Sequence, residues 1–387
     1  MFQTTKKIEL QKLDFVTLSI FLLLSIIGLF FLATASLNFS ETVTGSPLSM
    51  FYRQFFHLFL GILLGITIFL IPLETWEKID RYLLLFGVFL LLMVFIPGIG
   101  QEVKGANRWI RFAGYGLQPA EVMKFISIIY ISAYAVRQNR ELQSNWFAFF
   151  RPTILIFLIL SLILLQPDLG SSVIIFISVL GILFLAGVKL KQFLLIMLIG
   201  VIGIIFLIYF EPFRWERIIS FLNPWDFEYD EGFQLTLSLM SIGRGDWFGV
   251  GPGQSLMKMG YLPDAHTDFI FSIIVEEFGL ITAIVLISFL FGLSFRFIKM
   301  ARAALSKGLL FGFYVSMGVA ILIGLQTFIN IGVSTGLLPT KGLTLPFVSY
   351  GGTHMLLVCA MIGLALRVDY ETKISLPQIN IPRRADF

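Results

Sequence analysis

Charge is scarce in this chain. Charged residues make up 13% of its 387 residues and hydrophobic residues 57%, whereas soluble domains carry about 25% charged residues. No polar block is long enough to form a soluble domain of roughly 100 residues. We therefore interpret residues 1–387 as a single polytopic membrane domain.

Cysteine and the common nucleotide and metal motifs are also lacking. The single cysteine, Cys359, lies in an apolar run, which excludes an intramolecular disulfide and disfavours a metal-thiolate site. The sequence has no GxxxxGK or HExxH motif, and His266 has no second histidine near it in sequence, so no metal ligands are predicted. An ATP- or NAD-driven reaction is therefore not supported. The net charge of +4 is dispersed among the loops, so nucleic acid is not expected as a partner.

Long apolar runs predict an all-α fold. A membrane-spanning helix needs about 20 apolar residues, and ten runs approach that length. They are 14–36, 54–73, 82–99, 121–136, 152–167, 171–188, 192–210, 267–294, 308–331 and 346–366. The fifth and sixth are separated only by QPDLG, in which Pro167 and Gly170 break the helix.

Charge predicts the orientation of these ten transmembrane helices. The connecting segments on the side of both termini hold most of the 28 Lys and Arg residues, so both termini are predicted to be cytoplasmic. The long segment 211–266, between spans seven and eight, then lies outside the cytoplasm. Its runs ERIISFLNPW and FQLTLSLMSIG predict amphipathic helices at the membrane interface.

Asp268 marks the point where this outer loop gives way to the eighth apolar run. A carboxylate is costly in hydrocarbon, so an ionisable residue at that depth is a functional candidate by default. A helix N-cap is the structural alternative, for which Thr267 is equally suited. Helical geometry places Glu276 about 80° from Asp268. This predicts Glu276 as a neighbour of the site, with a buried pairing to Lys124 as the alternative.

Cations accompany this carboxylate on the outer side, where the topology rule disfavours them. Arg and Lys bind phosphate, and a carboxylate can take a proton from an attacking hydroxyl. The combination predicts an outer-face site for an anionic lipid, and it suits transfer of a sugar from a phosphate-linked lipid to a hydroxyl acceptor. The cations proposed to hold the pyrophosphate are Arg108, Lys124, Arg214, Arg217 and Lys341. Headgroup binding by the arginines and snorkelling by the last lysine are the alternatives.

Five outer segments carry a family resemblance. They are KGANRWIRFAGYGLQPAEVMK, QPDLGSS, FRWERIISFLNPW, GRGDWFGVGPGQSLMKMGYLPDAHTDF and GLLPTKGLTLPFVSYGG. With them the chain resembles the SEDS family, which contains FtsW, RodA and SpoVE, over nearly its whole length, and it is more similar to the FtsW type than to the RodA type. The resemblance implies a ten-span fold and a processive peptidoglycan glycosyltransferase of the cytoplasmic membrane that uses lipid II.

The resemblance also implies roles for particular residues. It makes Asp268 the catalytic base and places a larger set at the substrate. That set is Arg108, Trp109, Glu121, Lys124, Asp168, Lys341 and Ser349. Asp168 precedes a helix start, so a structural cap is an equal alternative. His354 departs from the family, which usually has a small polar residue at this position.

Partners and rival functions follow from the same comparison. The resemblance implies that the protein meets lipid II, nascent glycan, a class B penicillin-binding protein, and membrane proteins of the divisome or elongasome. A divalent cation such as Mg²⁺ is left open as a cofactor. A transporter that flips lipid II is the main rival, because intramembrane Glu276 and Glu277 also fit it. A scaffold for the transpeptidase is the second rival. The charges clustered at the outer face favour the enzyme.

Overall fold

The computed structural model describes residues 9–103, 105–112 and 115–375. Within these ranges the chain forms thirteen α-helices and one three-stranded sheet. The helices are α1 (Phe15–Thr44), α2 (Ser49–Leu70), α3 (Leu73–Met93), α4 (Pro119–Arg137), α5 (Asn139–Ser144), α6 (Trp146–Leu164), α7 (Leu169–Leu185), α8 (Leu190–Tyr209), α9 (Pro212–Leu222), α10 (Phe233–Gly245), α11 (Ile270–Ser306), α12 (Leu310–Ser334) and α13 (Gly352–Ile374). The strands are β1 (Gly100–Val103), β2 (Ala106–Phe112) and β3 (Tyr115–Leu117).

Each of the ten predicted spans overlaps one of the longer helices, α1 to α4, α6 to α8 and α11 to α13. Among the described residues, eight helices are long and apolar enough to cross a bilayer. The other two are α3, which carries charged residues from Glu74 to Arg81, and α7, which has only 17 residues. The polytopic helical class is therefore confirmed, while the exact number of spans and their orientation stay predictions.

The segment between α3 and α4 corrects the expectation of a purely helical chain. Its three strands form an antiparallel sheet in the order β1-β2-β3, with Ile110 paired to Gly100 on one side and to Leu117 on the other. Ile110 also packs with Leu90 and Val94 of the preceding helical end, which attaches the sheet to the bundle. Strand β2 carries Arg108 and Trp109 as successive residues, so their side chains leave opposite faces of the strand.

The long outer loop contains both predicted interfacial helices, which are α9 and α10. The rest of the loop forms hydrogen bonds with α11 at a point where that helix is interrupted. Gly279 has φ 81° inside that helix, so the predicted continuous eighth span is interrupted there. Val250 and Gly251 donate backbone N–H bonds of 2.9 and 3.0 Å to the freed carbonyl oxygens of Glu276 and Glu277. The loop thereby satisfies backbone groups that the broken helix leaves open.

Small residues bring α2 and α13 into close contact. A Cβ atom at Gly61 would lie 2.9 Å from Sγ of Cys359, and one at Gly65 would lie 2.8 Å from the backbone oxygen of Cys359. Close approach of helices at small residues is typical of membrane proteins, where van der Waals packing drives association. The cysteine is therefore a buried packing residue, as expected. This contact holds the middle of α2 against α13.

Candidate active site

A cavity of about 1070 Å³ lies where α2, the sheet, α4 and the loops before α7, α11 and α13 meet. This volume reaches the upper end of the range for small-molecule sites. Its wall is mixed, with apolar surface beside ten ionisable side chains. The ionisable residues on that wall are Arg53, His57, Arg108, Arg111, Glu121, Asp168, Asp264, His266, Asp268 and His354. The cavity therefore suits a charged ligand with many hydrogen-bonding groups.

Asp268 lies on this cavity wall, half-buried. Helix α11 begins at Ile270 and its N-cap residue is Phe269, so the alternative interpretation of Asp268 as the cap is wrong. Asn330 donates a hydrogen bond of 2.9 Å from Nδ2 to the backbone oxygen of Asp268. A Cβ atom at Gly342 would lie only 2.7 Å from Oδ2 of Asp268, so the glycine leaves room for the carboxylate.

Arg108 reaches the cavity from strand β2 and also holds the turn between α6 and α7. Its Nε donates to the backbone oxygen of Gln166 at 3.0 Å, and its Nη2 donates to that of Pro167 at 2.7 Å. Pro167 has φ 29°, an unusual value for proline. The neighbouring Trp109 lines the cavity too. The structure thus places both residues of this predicted pair at the site.

Three further predicted cations, Arg214, Arg217 and Lys341, are not among the residues that line the cavity, but they influence one another electrostatically. Burial lowers the pKa of Lys341 to about 8, and the charge of Arg217 acts in the same direction. Arg214 and Arg108 add to this effect, while the carboxylate of Asp168 opposes it. Burial, followed by the charge of Arg108, also lowers the pKa of Arg217. Asp268 opposes that shift, which shows that Arg217 lies within electrostatic reach of the proposed base.

Asp168 is both a helix cap and a residue of the cavity wall. It is the N-cap of α7, where Oδ1 accepts from the backbone N–H of Ser171 at 3.0 Å and Oδ2 accepts from its hydroxyl at 2.8 Å. The side chain of Gln118 also donates to Oδ2, at 3.2 Å. Asp168 and Ser171 both line the cavity, so the cap is part of the site wall.

Glu121 and Lys124 form a buried ion pair, with 2.5 Å between Nζ and Oε1. The lysine side chain is 0% exposed, so its charge is already neutralised within the protein. The structure does not place Lys124 on the cavity wall and corrects its predicted role as a phosphate-binding cation. Glu121 does line the cavity, and its Oε2 lies 3.1 Å from Nδ1 of His354.

Glu276 corrects a second prediction. It pairs neither with Lys124 nor with the cavity but with Arg244, whose Nη1 lies 2.9 Å from Oε1. The hydroxyls of Ser241 and Ser255 donate to its Oε2 at 2.8 and 2.6 Å. The predicted angle between Asp268 and Glu276 was wrong because Asp268 lies before the start of α11. A rotation of about 100° per residue applies only within a helix. Glu276 instead fastens the outer loop to α11.

Ser349 lies beside the site but behind its wall. Its hydroxyl donates to the backbone oxygen of Thr267 at 2.5 Å and accepts from the N–H of Leu345 at 2.8 Å. The side chain is buried and is not among the residues that form the cavity. It therefore positions the backbone next to Asp268 rather than binding a ligand, which corrects its predicted role.

Several cavity residues were missed by the sequence reasoning. All three histidines of the chain line the cavity. Arg53 and His57 lie on α2, four residues apart, so helical spacing places them on one face. That spacing on an outer helical segment was the available signal. Within 9–103, 105–112 and 115–375, no group of three or more His, Cys, Asp or Glu side chains is arranged to hold a metal ion.

Fold and site together define a class: a multi-pass protein of the cytoplasmic membrane with a large, charge-lined cavity at one end of its helix bundle. The model of the FtsW, RodA and SpoVE family, described as "Cell cycle protein", matches residues 14–374. The chain belongs to this family.

Named relatives and solved structures agree with this assignment. The probable peptidoglycan glycosyltransferase FtsW of Saccharophagus degradans is 41% identical over 361 residues, which is 93% of each chain. That of Coxiella burnetii is 42% identical over 90% of this chain and 93% of its own. A chain of a peptidoglycan synthase complex matches with a TM-score of 0.76 and 24% identity over 93% of this chain and 98% of that one. RodA of Thermus thermophilus matches with a TM-score of 0.68 and 23% identity, covering 92% and 96%. The structural matches confirm the fold.

Proposed function

We propose that this protein is a peptidoglycan glycosyltransferase that polymerises lipid II into glycan strands at the outer face of the cytoplasmic membrane, in cell division. The observation that carries the proposal is the position of Asp268 on the wall of a 1070 Å³ cavity that Arg108 also lines. The relatives named FtsW, which align over more than nine-tenths of the chain, support the same activity.

Asp268 is the residue suited to act as the base. In the proposed reaction it takes the proton from the 4-hydroxyl of the acceptor N-acetylglucosamine. The oxygen then attacks the anomeric carbon of the donor N-acetylmuramic acid from the side opposite the leaving group, so the configuration inverts. The bond from that carbon to the lipid pyrophosphate breaks, and the pyrophosphate leaves as an anion. The carboxylate suits this role because it lines the cavity and remains half-exposed.

Cations near Asp268 are suited to stabilise the departing pyrophosphate. Negative charge grows on that group as the glycosidic bond breaks, and fixed positive groups lower the barrier most when they need no rearrangement. Arg108 is held by two hydrogen bonds to backbone oxygens. Arg217 and Lys341 are not among the residues that line the cavity, but each lies within electrostatic reach of the other and of Arg108, which does line it.

A divalent cation, bound by the protein together with the lipid pyrophosphate, is also part of the proposal. Mg²⁺ is commonly held by one or two carboxylates together with substrate phosphates and water. Asp168 and Asp268, both on the cavity wall, are the carboxylates that fit such an arrangement. Magnesium would supply further positive charge to the leaving group.

A class B penicillin-binding protein is the proposed partner. Its support is the fold shared with a chain of a peptidoglycan synthase complex, over 98% of that chain. Partnership with other division proteins follows the FtsW names of the relatives. A copurification of the full chain with its cognate class B protein tests this part separately from catalysis.

The transporter alternative receives no support from the structure. It relied on Glu276 and Glu277 as polar residues along a path through the membrane. Both are instead 0–1% exposed and engaged in ion pairs, Glu276 with Arg244 and Glu277 with Lys258. Neither carboxylate is among the residues that line the cavity.

Replacing the base tests the proposed function. Asp268→Asn keeps the size of the side chain but cannot take a proton, so we expect polymer formation from purified lipid II to be abolished. Asp230→Asn, at an exposed position of the outer loop, is the matched control and should keep full activity. Both proteins should insert into membranes at the wild-type level. Full activity of Asp268→Asn with its partner present would refute the assignment of the base.

A further inference from the structure

Gln54 is a buried polar residue of α2 to which the proposed reaction gives no role. Its side chain is 1% exposed, and both ends of its amide bind the loop between α12 and α13. Nε2 donates to the backbone oxygen of Ser349 at 3.2 Å, and Oε1 accepts from the backbone N–H of Gly351, also at 3.2 Å. One side chain of α2 therefore holds two points of a loop that lies 295 and 297 residues further along the chain.

The loop that Gln54 holds, residues 335–351, contains neither helix nor strand. Its backbone groups therefore depend on side chains and on other segments for their hydrogen bonds. Phe347 within it has φ 67°, a left-handed conformation that is unfavourable for a phenylalanine and persists only where the surroundings hold it. Gln54 supplies two of the bonds that fix the end of this loop.

The same end of the loop binds the backbone next to Asp268. The hydroxyl of Ser349 donates to the backbone oxygen of Thr267 at 2.5 Å. The backbone N–H of Tyr350 donates to the backbone oxygen of His266 at 3.0 Å. The carbonyl group of Thr267 and the nitrogen of Asp268 belong to one planar peptide unit. A shift of the loop at this point therefore shifts the backbone from which the carboxylate of Asp268 extends.

We propose that Gln54 is a positioning residue for Asp268. It binds the residues on both sides of Tyr350, so it fixes the part of the loop that in turn holds the backbone before Asp268. Arg53 and His57 of the same helix line the cavity, so this turn of α2 forms part of the wall and also supports the base. The inference rests on the proposed function, because that function makes Asp268 the base.

Capping of α13 is the structural alternative. Gly351 is the N-cap residue of that helix, and backbone N–H groups at a helix start need acceptors. A capping role alone would contribute to the stability of the fold and would leave the reaction rate of the folded protein unchanged. The two roles therefore differ in their effect on kcat.

Gln54→Met tests the positioning role, because methionine has a similar size but cannot bind both backbone groups. We expect kcat for polymerisation of purified lipid II to fall about tenfold, since a misplacement of about 1 Å can cost ~100-fold in rate. The KM should change by less than about twofold, because the side chains that line the cavity remain and only alignment for the reaction is lost. A wild-type kcat in the folded variant would overturn the inference and leave Gln54 as a cap.

Arg367→Met is the matched control, because it removes a bond between the same two helices at their opposite ends. Nη1 of Arg367 in α13 donates to the backbone oxygen of Phe69 in α2 at 3.2 Å. We expect this variant to lose thermal stability in detergent, as Gln54→Met does, but to keep the wild-type kcat. An equal loss of kcat in both variants would show that packing of α2 on α13 in general supports activity, and it would overturn a specific role for Gln54.

A double-mutant cycle with Ser349→Ala tests the route of the effect. Ser349→Ala removes the hydroxyl that binds the backbone of Thr267. If Gln54 acts through Ser349, the loss of kcat in the double variant should be clearly smaller than the product of the two single losses, because residues of one hydrogen-bond network are not additive. A loss equal to that product would show that Gln54 affects the site by another route, and it would overturn the proposed one.

Hydrogen exchange provides a readout that does not depend on catalysis. The backbone N–H groups of Thr267 and Asp268 both donate to the backbone oxygen of Asp264, at 3.0 Å. Exchange in the peptide that carries them should be faster in Gln54→Met than in the wild type, and unchanged in Arg367→Met. Wild-type exchange in Gln54→Met would overturn the inference.

A second variant covers the case in which Gln54→Met does not fold. Gln54→Asn keeps the amide but is one methylene shorter, so it cannot span both backbone groups, and the same kcat and exchange criteria apply to it. Absence of polymerisation by the wild type would count against the proposed function, while the exchange measurement would still decide whether Gln54 holds the backbone at Asp268.

Discussion

At the scale of single residues, the proposed base is held by its backbone as much as by its side chain. Asn330 binds the backbone oxygen of Asp268, and Ser349 binds that of the preceding Thr267. Gly342 leaves space beside the carboxylate because it has no Cβ. These contacts fix the carboxylate before a substrate arrives, and such preorganisation is a large part of catalysis in buried sites.

The lowered pKa of Lys341 predicts how activity depends on pH. A lysine with a pKa of about 8 loses its proton as the pH rises through that value. If the ammonium group helps to bind pyrophosphate, kcat/KM for lipid II should fall above about pH 8, since this ratio reports the free enzyme. Lys341→Arg stays charged at these values. Its kcat/KM should therefore hold to higher pH.

The matched control for this measurement is Lys191→Arg, which makes the same exchange at an exposed position in the first turn of α8. It should show the same pH profile as the wild type. A wild-type kcat/KM that stays constant from about pH 7 to about pH 9.5, or a Lys341→Arg profile identical to it, would contradict the assigned role of the lysine.

Sequence reasoning at this scale located cavity residues where chemistry and local pattern coincide, while the roles of these residues stay predictions. Asp268, Arg108 and Asp168 were predicted and lie on the cavity wall. It failed for His57 and His354, which come from α2 and α13 and meet only because those helices pack together. No local pattern connects positions separated by almost 300 residues in the chain. Only the tertiary structure shows that residues so far apart in the chain lie close together in space.

At the scale of elements, the break in α11 joins the outer loop to the membrane core. Lys258 of the loop is 5% exposed and pairs with Glu277, with 2.5 Å between Nζ and Oε1. The same ammonium group donates to the backbone oxygen of Thr34 in α1, at 3.1 Å. One side chain therefore ties the loop to two helices. The sequence predicted the loop helices but not this attachment, because the partners of a buried charge cannot be read from spacing.

This buried pair predicts a specific pattern of stability. Lys258→Met leaves the carboxylate of Glu277 buried without its cation, which should lower the free energy of unfolding by about 3–5 kcal/mol. Lys258→Met combined with Glu277→Leu removes both charges and should recover most of that loss. Thermal unfolding in detergent measures both effects.

An exposed ion pair provides the control for that experiment. Lys78 and Glu74 are paired at 2.6 Å, but their side chains are 71% and 76% exposed. Lys78→Met should therefore change the unfolding temperature little. A double variant of Lys258 and Glu277 as unstable as the single one would show that packing, and not the unpaired charge, dominates at this position.

At the scale of the whole molecule, two distant ion pairs lie among residues predicted to be cytoplasmic. Asp14 before α1 meets Arg296 in α11 at 2.6 Å, and Asp80 in α3 meets Arg137 at the end of α4 at 2.8 Å. The cavity residues lie in the segments predicted to be outside or near the outer ends of the predicted spans. Each contact joins segments that the charge pattern assigns to the same side, while the orientation itself stays a prediction.

Reporter insertions test this orientation directly. Alkaline phosphatase inserted after Tyr229, an 86% exposed position of the loop between α8 and α11, should be exported and active. The same enzyme inserted between Lys307 and Gly308, in the turn between α11 and α12, should remain inside and inactive. Activity at the second position, with inactivity at the first, would reverse the proposed topology and remove the site from the outer face.

The sheet was the part of the fold that hydropathy could not predict. Its strands are short, and the segment from Gly100 to Leu117 mixes polar, aromatic and glycine residues without a long apolar run. Two-stranded and three-stranded sheets of this size depend on packing against other elements. Ile110 packs on Val94 at the end of α3, and long apolar runs in a sequence do not reveal a contact of this kind.

The contact of α2 with α13 has a practical consequence. The chain's only thiol is shielded there, because Sγ of Cys359 faces the glycine surface of α2. A maleimide reagent can reach this sulfur only while the two helices are apart. The rate at which the unmodified wild-type protein is alkylated, with and without substrate, therefore reports how often α2 and α13 separate, and the measurement needs no engineered label.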